Sequence, residues 1–181
     1  MDWDQRYARY DRCFGDEPTP FVREVLSPLP LAGLRLLFPG DGYGRNGLWA
    51  AQRGASVIAL DGSPVAVEMA RAEARQRELS YASTPCDLST LPFPVWGGRR
   101  FDMVVSAWFR IEGEGLGLQR RWNHHAAQLL TPSGAIVVVG SRTMGSPAAE
   151  AALWPFGITW SDHSTAEELR LIGRVPSARR G

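Results

Sequence analysis

Apolar residues along this chain fall in short blocks whose period changes, first every three or four positions and then in unbroken runs. Trp3, Tyr7, Tyr10 and Phe14 recur at spacings of three and four within residues 1–17, which predicts a short helix with one aromatic face ending near Gly15. Thr19 followed by Pro20 is a helix start signal; PFVREVL continues that helix, and Pro28 and Pro30 stop it. From Leu34 the elements alternate. LRLLF (34–38) reads as a strand apolar enough to be buried on both faces, RNGLWAAQR (45–53) as a helix closing on Gly54, and SVIAL (56–60) as a second strand. Ser63-Pro64 repeats the start signal ahead of the amphipathic helix VAVEMARAEARQREL.

A weaker strand, LSYAST (79–84), leads through CDL into a proline- and glycine-rich loop, LPFPVWGGRR. FDMVVSAWF (101–109) is a clear strand, LGLQRRWNHHAAQLL (116–130) a helix stopped by a TPSG turn, and AIVVVG (135–140) another strand. Strands alternating with helices of this length mean βαβ units and a parallel sheet, an α/β fold. In the tail, Thr165-Ala-Glu-Glu168 has the form of a capping box that would open a helix. ITWSDHS and ELRLIGRV read as extended, however, and the expectation is a closing antiparallel pair of strands. With no repeat, linker or low-complexity stretch, residues 1–181 are expected to form one domain, a helical cap segment at 1–30 and a core at 34–181.

Composition narrows the classes. Hydrophobic residues make up 44% and charged residues 22% of the 181 positions, as in a soluble globular chain. The net charge of +1 gives no whole-protein field for nucleic acid or an anionic membrane, so neither partner is expected. Every basic residue is arginine, and the pairs at 99–100, 120–121 and 179–180 read as solvated surface. Cys13 and Cys86 make no secreted-type framework and are expected to be reduced thiols. MDWDQRY is no signal peptide and no apolar run approaches a membrane span, so the expected location is cytoplasmic.

The candidate chemistry sits in PGDGYG, at the first strand-to-helix turn. A parallel α/β sheet binds ligands beyond the carboxyl ends of its strands, where strand order reverses. Glycines at 40, 42 and 44 permit positive φ and leave no Cβ between ligand and backbone, while the helix from Arg45 offers free amides to an anion. A phosphate-cradling P-loop would need a lysine followed by Ser or Thr, and this chain has no lysine. A dinucleotide fingerprint would need its last glycine where Arg45 stands, which makes a nicotinamide-dependent oxidoreductase a weak reading. G-x-G-x-G suits the carboxylate of an amino-acid-like ligand. Asp61, ending the second strand, can take both ribose hydroxyls, and Asp87 after the third can read an adenine edge. Ser106, Ala107 and Trp108 end the fourth strand, where small residues leave room for a ligand.

In order and spacing, PGDGYGRN, ALDGSPVAVEMA, CDL, FDMVVSAWF and LLTPSGAIVVVG resemble a class I S-adenosylmethionine-dependent methyltransferase. The opening WDQRYARYDRCFGDEPTPFVREVL is similar to that of the tellurite-resistance and thiopurine-type group, which acts on small molecules. The resemblance covers residues 1 to about 140. It implies a Rossmann-like, doubly wound, mostly parallel seven-stranded sheet with an antiparallel C-terminal strand, and S-adenosylmethionine as cofactor. It also implies that Gly40, Asp41, Gly42, Gly44, Arg45 and Asn46 lie by the methionine portion, Asp61, Gly62 and Ser63 by the ribose, and Asp87 and Leu88 near adenine. Trp3, Tyr7 and Phe14 fall in the segment that covers the cofactor in that group. One position departs from the family pattern: the acidic residue two before the first glycine is here Phe38, with Asp41 as a substitute for the cofactor's ammonium group.

The reaction implied is displacement at a sulfonium methyl, toward a small-molecule acceptor. A sulfur, selenium or tellurium nucleophile needs no general base near neutral pH, and no base is sharply marked. His124 and His125 are adjacent on one helix, so at most one points inward; they and His163, beside Asp162, read as surface or packing residues. No metal-ligand spacing occurs. Arg110, just past the fourth strand, is the candidate substrate contact, a clamp for an anion or else a rim residue paired with Glu112 or Glu114. Trp108, Phe109, Trp154 and Trp160 are candidates for an aromatic pocket. The reading from another class is a non-catalytic S-adenosylmethionine-binding sensor or partner subunit.

Overall fold

The computed structural model describes residues 3–9, 12–90, 93, 97–111 and 116–176. Tyr10, Glu112, Glu114, the arginine pair at 179–180 and most of the LPFPV stretch lie outside the described residues. The strands form a seven-stranded sheet ordered β3-β2-β1-β4-β5-β7-β6, with β1 Arg35–Pro39, β2 Ser56–Asp61, β3 Tyr81–Pro85, β4 Phe101–Ala107, β5 Leu130–Ser141, β6 Thr159–Asp162 and β7 Glu168–Arg174. This is the expected Rossmann-like mixed sheet. Its chain divides into two compact units, Met1–Asp87 and Leu88–Gly181.

In the first unit β1, β2 and β3 pair in parallel, Phe38 opposite Ala59 and Asp61 opposite Pro85. Leu36, Leu37 and Phe38 are all buried, which is why this strand reads as a continuous apolar run. Helix α1 (Trp3–Arg9) is shorter than the aromatic spacing predicts, and Phe14 sits past it in a turn. Helix α2 (Pro20–Leu26) buries Phe21, Val22 and Leu26, each contributing about 1.5–3 kcal/mol of hydrophobic stabilisation. Between β1 and β2 lies α3 (Arg45–Gln52), and between β2 and β3 lies α4 (Pro64–Gln76). Ser63 starts α4 as its sequence predicts: the Oγ accepts from the N–H of Ala66 and Pro64 fills the first position. The face formed by Ala66, Val67, Ala70 and Ala74 is buried.

In the second unit β4 and β5 are parallel, and β7 runs antiparallel to both β5 and β6. Helix α5 (Gly117–Gln128) turns Gln119, Trp122, Asn123 and Ala126 inward at helical spacing. Strand β4 ends two residues earlier than its apolar run predicts, because Trp108 takes a left-handed φ of 58°. β5 begins at Leu130 and absorbs the TPSG stretch as an irregularity, its register jumping from Phe101–Leu130 to Met103–Ala135. The tail forms the expected antiparallel pair. Thr165 serves its turn rather than a helix: its Oγ1 accepts from the N–H groups of Glu167 and Glu168, and its own N–H donates to the Glu168 carbonyl. The short helix α6 (Pro147–Ala151), absent from the sequence reading, starts on Ser146-Pro147, the same signal that opens α2 and α4.

Candidate functional site

The turn between β1 and α3 is held from beneath. The N–H groups of Gly40 and Asp41 donate to the Leu60 carbonyl at 2.7 and 3.2 Å, which ties the turn to the end of β2. Gly44 stands at the N-cap of α3 with φ 90°, where a side chain would be strained and would meet Leu48 at 2.8 Å. It brings no side chain of its own to the first turn of α3, where the Asp41 carboxyl takes the Gly47 N–H. Gly42, at φ 58°, is covered by the Tyr7 ring, whose hydroxyl would lie 2.7 Å from a Cβ there.

Asp61 organises this turn. One carboxylate oxygen accepts from the N–H of Gly42 and the other from the N–H of Ser63, at 2.8 and 2.9 Å. Each oxygen retains a second lone pair, which a sugar hydroxyl can use. Burial pushes the Asp61 carboxyl above its usual range, the two N–H groups pull it back, and Asp4 nearby adds to the rise. Asp4 itself reaches from α1 to accept from the Ser63 hydroxyl and from the Val65 N–H, so α1 docks on the start of α4. Gly62 is exposed with open space about it. Asp87 is exposed two residues past Pro85, the β3 partner of Asp61, and so stands at the same end of the adjacent strand. Leu88, also in the sequence set, is buried.

Three residues of the expected set face elsewhere. Asp41 is buried under α3, accepting from the Gly47 N–H and from the Tyr81 hydroxyl. Its carboxyl group therefore anchors the turn and is not presented to an ammonium group; Phe38, at the position of the family's acid, is 1% exposed core. Arg45 donates to the Phe14 carbonyl at 2.6 Å and to the Thr19 hydroxyl at 3.0 Å. Asn46 Oδ1 accepts from the Thr19 N–H at 2.8 Å. Tyr43, absent from the sequence set, completes the clasp: its hydroxyl donates to the Gly15 carbonyl and accepts from the Phe14 N–H. The G-Y-G-R-N turn and the F-G-D-E-P-T segment are thus one hydrogen-bonded unit. Thr19, read as a cap for α2, makes no side-chain cap there; its hydroxyl accepts from Arg45 instead.

Above this clasp Trp3 stacks on Tyr7 at 5.8 Å, and Phe14 meets Tyr7 edge-on at 6.5 Å, with the Arg6 guanidinium 5.0 Å from the Phe14 ring. Tyr7 is buried, and burial with the nearby carboxylates pushes its hydroxyl pKa well up, which keeps the phenol neutral. Arg45→Met removes both bonds to residues 14 and 19. Amide exchange at Phe14 and Thr19 is expected to rise roughly five- to thirtyfold, for a loss of about 1–2 kcal/mol, while amides of β2 stay protected. Hydrogen-exchange mass spectrometry reads this directly; an unchanged segment would show the clasp to be unimportant.

In the second unit Ser106 is buried near the end of β4 and Trp108 is 47% exposed beyond it. Arg110 donates to Glu150 on α6 at 2.6 Å, and Glu150 is 5% exposed. Its partner is thus a residue the sequence reading did not name, and the guanidinium works as a structural tie. His125 packs on Trp122 and Phe93, while His124 is exposed; one of the pair points inward, as adjacency requires. Trp154 is buried and pairs with Trp160 at 5.9 Å. Among the described residues no cluster of His, Cys, Asp or Glu could hold a metal, and no helix is long and apolar enough to cross a membrane.

Parallel strands, a glycine turn and an acid ending the next strand are the arrangement of an α/β fold of the methyltransferase kind. The chain belongs to the methyltransferase domain family, whose model matches residues 37–134. A ubiquinone biosynthesis O-methyltransferase of Methylobacterium sp. (strain 4-46) is 38% identical over 86 residues, 46% of this chain and 32% of that protein. The chain thus spans about a third of the length of the curated relatives it matches. Among solved structures, the N-methyltransferase NodS from Bradyrhizobium japonicum, in complex with S-adenosyl-L-homocysteine, superposes with a TM-score of 0.74 at 18% identity, covering 97% of this chain and 100% of that one. A TehB-like SAM-dependent methyltransferase from Corynebacterium glutamicum gives 0.70 at 18% identity, over 94% and 96%. These two likenesses concern the fold.

Proposed function

We propose that this chain binds S-adenosylmethionine over the β1–α3 turn and transfers its methyl group to a small-molecule nucleophile. The observation that carries the reading is Asp61, which fixes the Gly42 amide and the start of α4 with one carboxylate and keeps lone pairs for a ribose. The residues fit the cofactor in a further respect: Gly40, Gly42 and Gly44 all take positive φ, which puts three residues without side chains ahead of α3. When bound, the cofactor supplies an electrophilic methyl carbon on a sulfonium. The chain's part is to orient and to exclude water. The amides of the turn orient the amino-acid carboxylate, Asp61 the ribose, and the Trp3–Tyr7–Phe14 cluster shields that side from solvent.

Within that activity we favour the tellurite-resistance and thiopurine-type group, with a sulfur, selenium or tellurium acceptor. Its support is the N-terminal segment: W-D-x-R-Y and F-G-x-E-P-x-P-F are the pieces that dock on α4 and on the glycine turn. An oxygen acceptor, after the O-methyltransferase relatives, is the competing chemistry. A reducing compartment such as the cytoplasm suits the two free thiols. Isothermal titration with S-adenosylhomocysteine is the test, with a micromolar dissociation constant expected, about −8 kcal/mol. Absence of heat at millimolar ligand ends the reading, and binding without turnover on a thiol, selenol and catechol panel turns it into a sensor.

A further inference from the structure

We propose that the outward face of α5 binds an organic phosphate monoester, gripped by Arg120 and Arg121. The inference lies within the unit Leu88–Gly181 and does not rest on the methyl-transfer reading. Arg120 and Arg121, one of the pairs that the sequence reads as solvated surface, line a cavity of about 510 Å³ with Gly117, His124, His125 and Gln128. These positions recur at helical spacing, opposite the face that buries Gln119, Trp122, Asn123 and Ala126. The charge here is one-sided, for α5 carries no acidic residue. On α4, by contrast, Arg71, Arg75 and Arg77 each face Glu68 or Glu73, at 3.8, 2.8 and 2.7 Å. Among the described residues neither Arg120 nor Arg121 has a side-chain hydrogen bond or an ion pair.

The helix beneath is a fixed platform. Trp122 is fully buried and meets the rings of Phe93 and Phe109 edge-on, at 5.4 and 6.5 Å. The buried Gln119 accepts from the Ile111 N–H through Oε1 at 2.8 Å. His125 packs on Trp122 and Phe93 and serves as wall, while the exposed His124 is turned to solvent. Each guanidinium carries five N–H donors in a fixed fork. A phosphate monoester answers two of them at once: its two negative charges match two cations, and its three terminal oxygens accept paired bonds from both forks. A carboxylate, with one charge and two oxygens, satisfies one arginine only. His124 and Gln128, one and two turns further on, add side-chain donors. The cavity volume lies in the range of small-molecule sites, and Gly117 has open space about it, which leaves room for an organic body on the phosphate. The lining holds no Trp, Tyr or Phe on which bases could stack, which disfavours a nucleic-acid strand.

Wild type, R120Q, R121Q, R121K and R75Q are titrated by NMR with phenyl phosphate, inorganic phosphate, benzoate and a short oligouridine, at about 50 mM salt. Both arginines are exposed, so their variants are expected to fold as wild type does. Phenyl phosphate is expected to move the α5 amides with a dissociation constant of about 0.1–1 mM. Inorganic phosphate, which lacks the body, and benzoate, which lacks the second charge, are each expected to bind about tenfold more weakly. R120Q and R121Q should each weaken phenyl phosphate binding about five- to tenfold, and R121K about threefold, since lysine keeps the charge and loses the fork. R75Q removes the same charge from α4, where Glu68 already pairs it, and should bind as wild type does. No movement of α5 amides at about 10 mM phenyl phosphate overturns the site, as does wild-type affinity in both glutamine variants. An equal loss in R75Q marks a general charge effect and overturns it too. Inorganic phosphate or benzoate binding as tightly as phenyl phosphate overturns the ligand class, and wild-type affinity in R121K overturns the forked contact. Oligouridine that moves the same amides at a tenth of the phenyl phosphate concentration assigns the face to nucleic acid instead.

Discussion

Asp61→Asn should lower affinity for S-adenosylhomocysteine by about two decades and destabilise the fold by roughly 1–3 kcal/mol. The reason is donor counting. Both oxygens of Asp61 accept from backbone N–H groups, those of Gly42 and Ser63. An asparagine has one acceptor and one NH2 group, so one of the two amides faces a donor in either rotamer. If the Gly42 amide loses its partner, the bare turn shifts under the amino-acid portion of the ligand. If Ser63 loses it, the start of α4 and the Asp4 contact from α1 loosen together. A charged acceptor for ribose hydroxyls is lost in both cases, a contact of about 1.5–3 kcal/mol. Calorimetry at 25 °C with urea denaturation of the same preparation separates the two effects. Affinity within threefold of wild type would remove Asp61 from the site.

The turn was legible because its signal is local. Three alternating glycines need only the backbone for their explanation, and all three, Gly40, Gly42 and Gly44, do adopt positive φ at the end of β1. The alternation of strands and helices and the closing antiparallel pair followed from the sequence pattern, while the seven-stranded sheet came from the family resemblance. Contacts between residues far apart in sequence were not legible. Arg45 and Asn46 read as ligand contacts because they adjoin the glycines, yet their partners, Phe14 and Thr19, lie 26 to 31 positions away. Glu150 escaped for the same reason, 40 positions from Arg110. Trp108 shows another limit: SAWF is apolar enough to extend β4, and only the tertiary ties to Val139, Gln119 and Glu150 turn the chain out of the strand. The Ser146-Pro147 start of α6 was readable, but five residues are too few for periodicity to register.

Asp41 illustrates burial that no local pattern announces, since Asp-Gly in a turn reads as exposed. Gly47 makes the room: a side chain there would collide with the Asp41 carboxyl, so the glycine lets the acid fold beneath α3. Burial pushes this carboxyl from 3.8 up to about 8, against the lowering effects of the Tyr81 hydroxyl and the Gly47 N–H. The sign of the consequence follows from proton counting. Below pH 3.8 folded and unfolded chains both hold the proton, and Asp41 does not weaken the fold. Between there and about 8 the unfolded chain releases it while the folded chain keeps it, so stability falls as pH rises, and the loss levels off once both states are ionised. Asp41→Asn removes the titration and keeps the bonding, since the amide oxygen accepts from Gly47 and the NH2 group donates to the Tyr81 oxygen. The variant is expected to match wild type near pH 4 and to exceed it progressively toward pH 8, by up to on the order of 5 kcal/mol. Urea denaturation of both proteins at one-unit pH intervals measures the difference directly. A difference that stays flat from pH 4 to 8 means the acid ionises freely in the folded state, and the turn then rests on a buried carboxylate instead of a neutral acid.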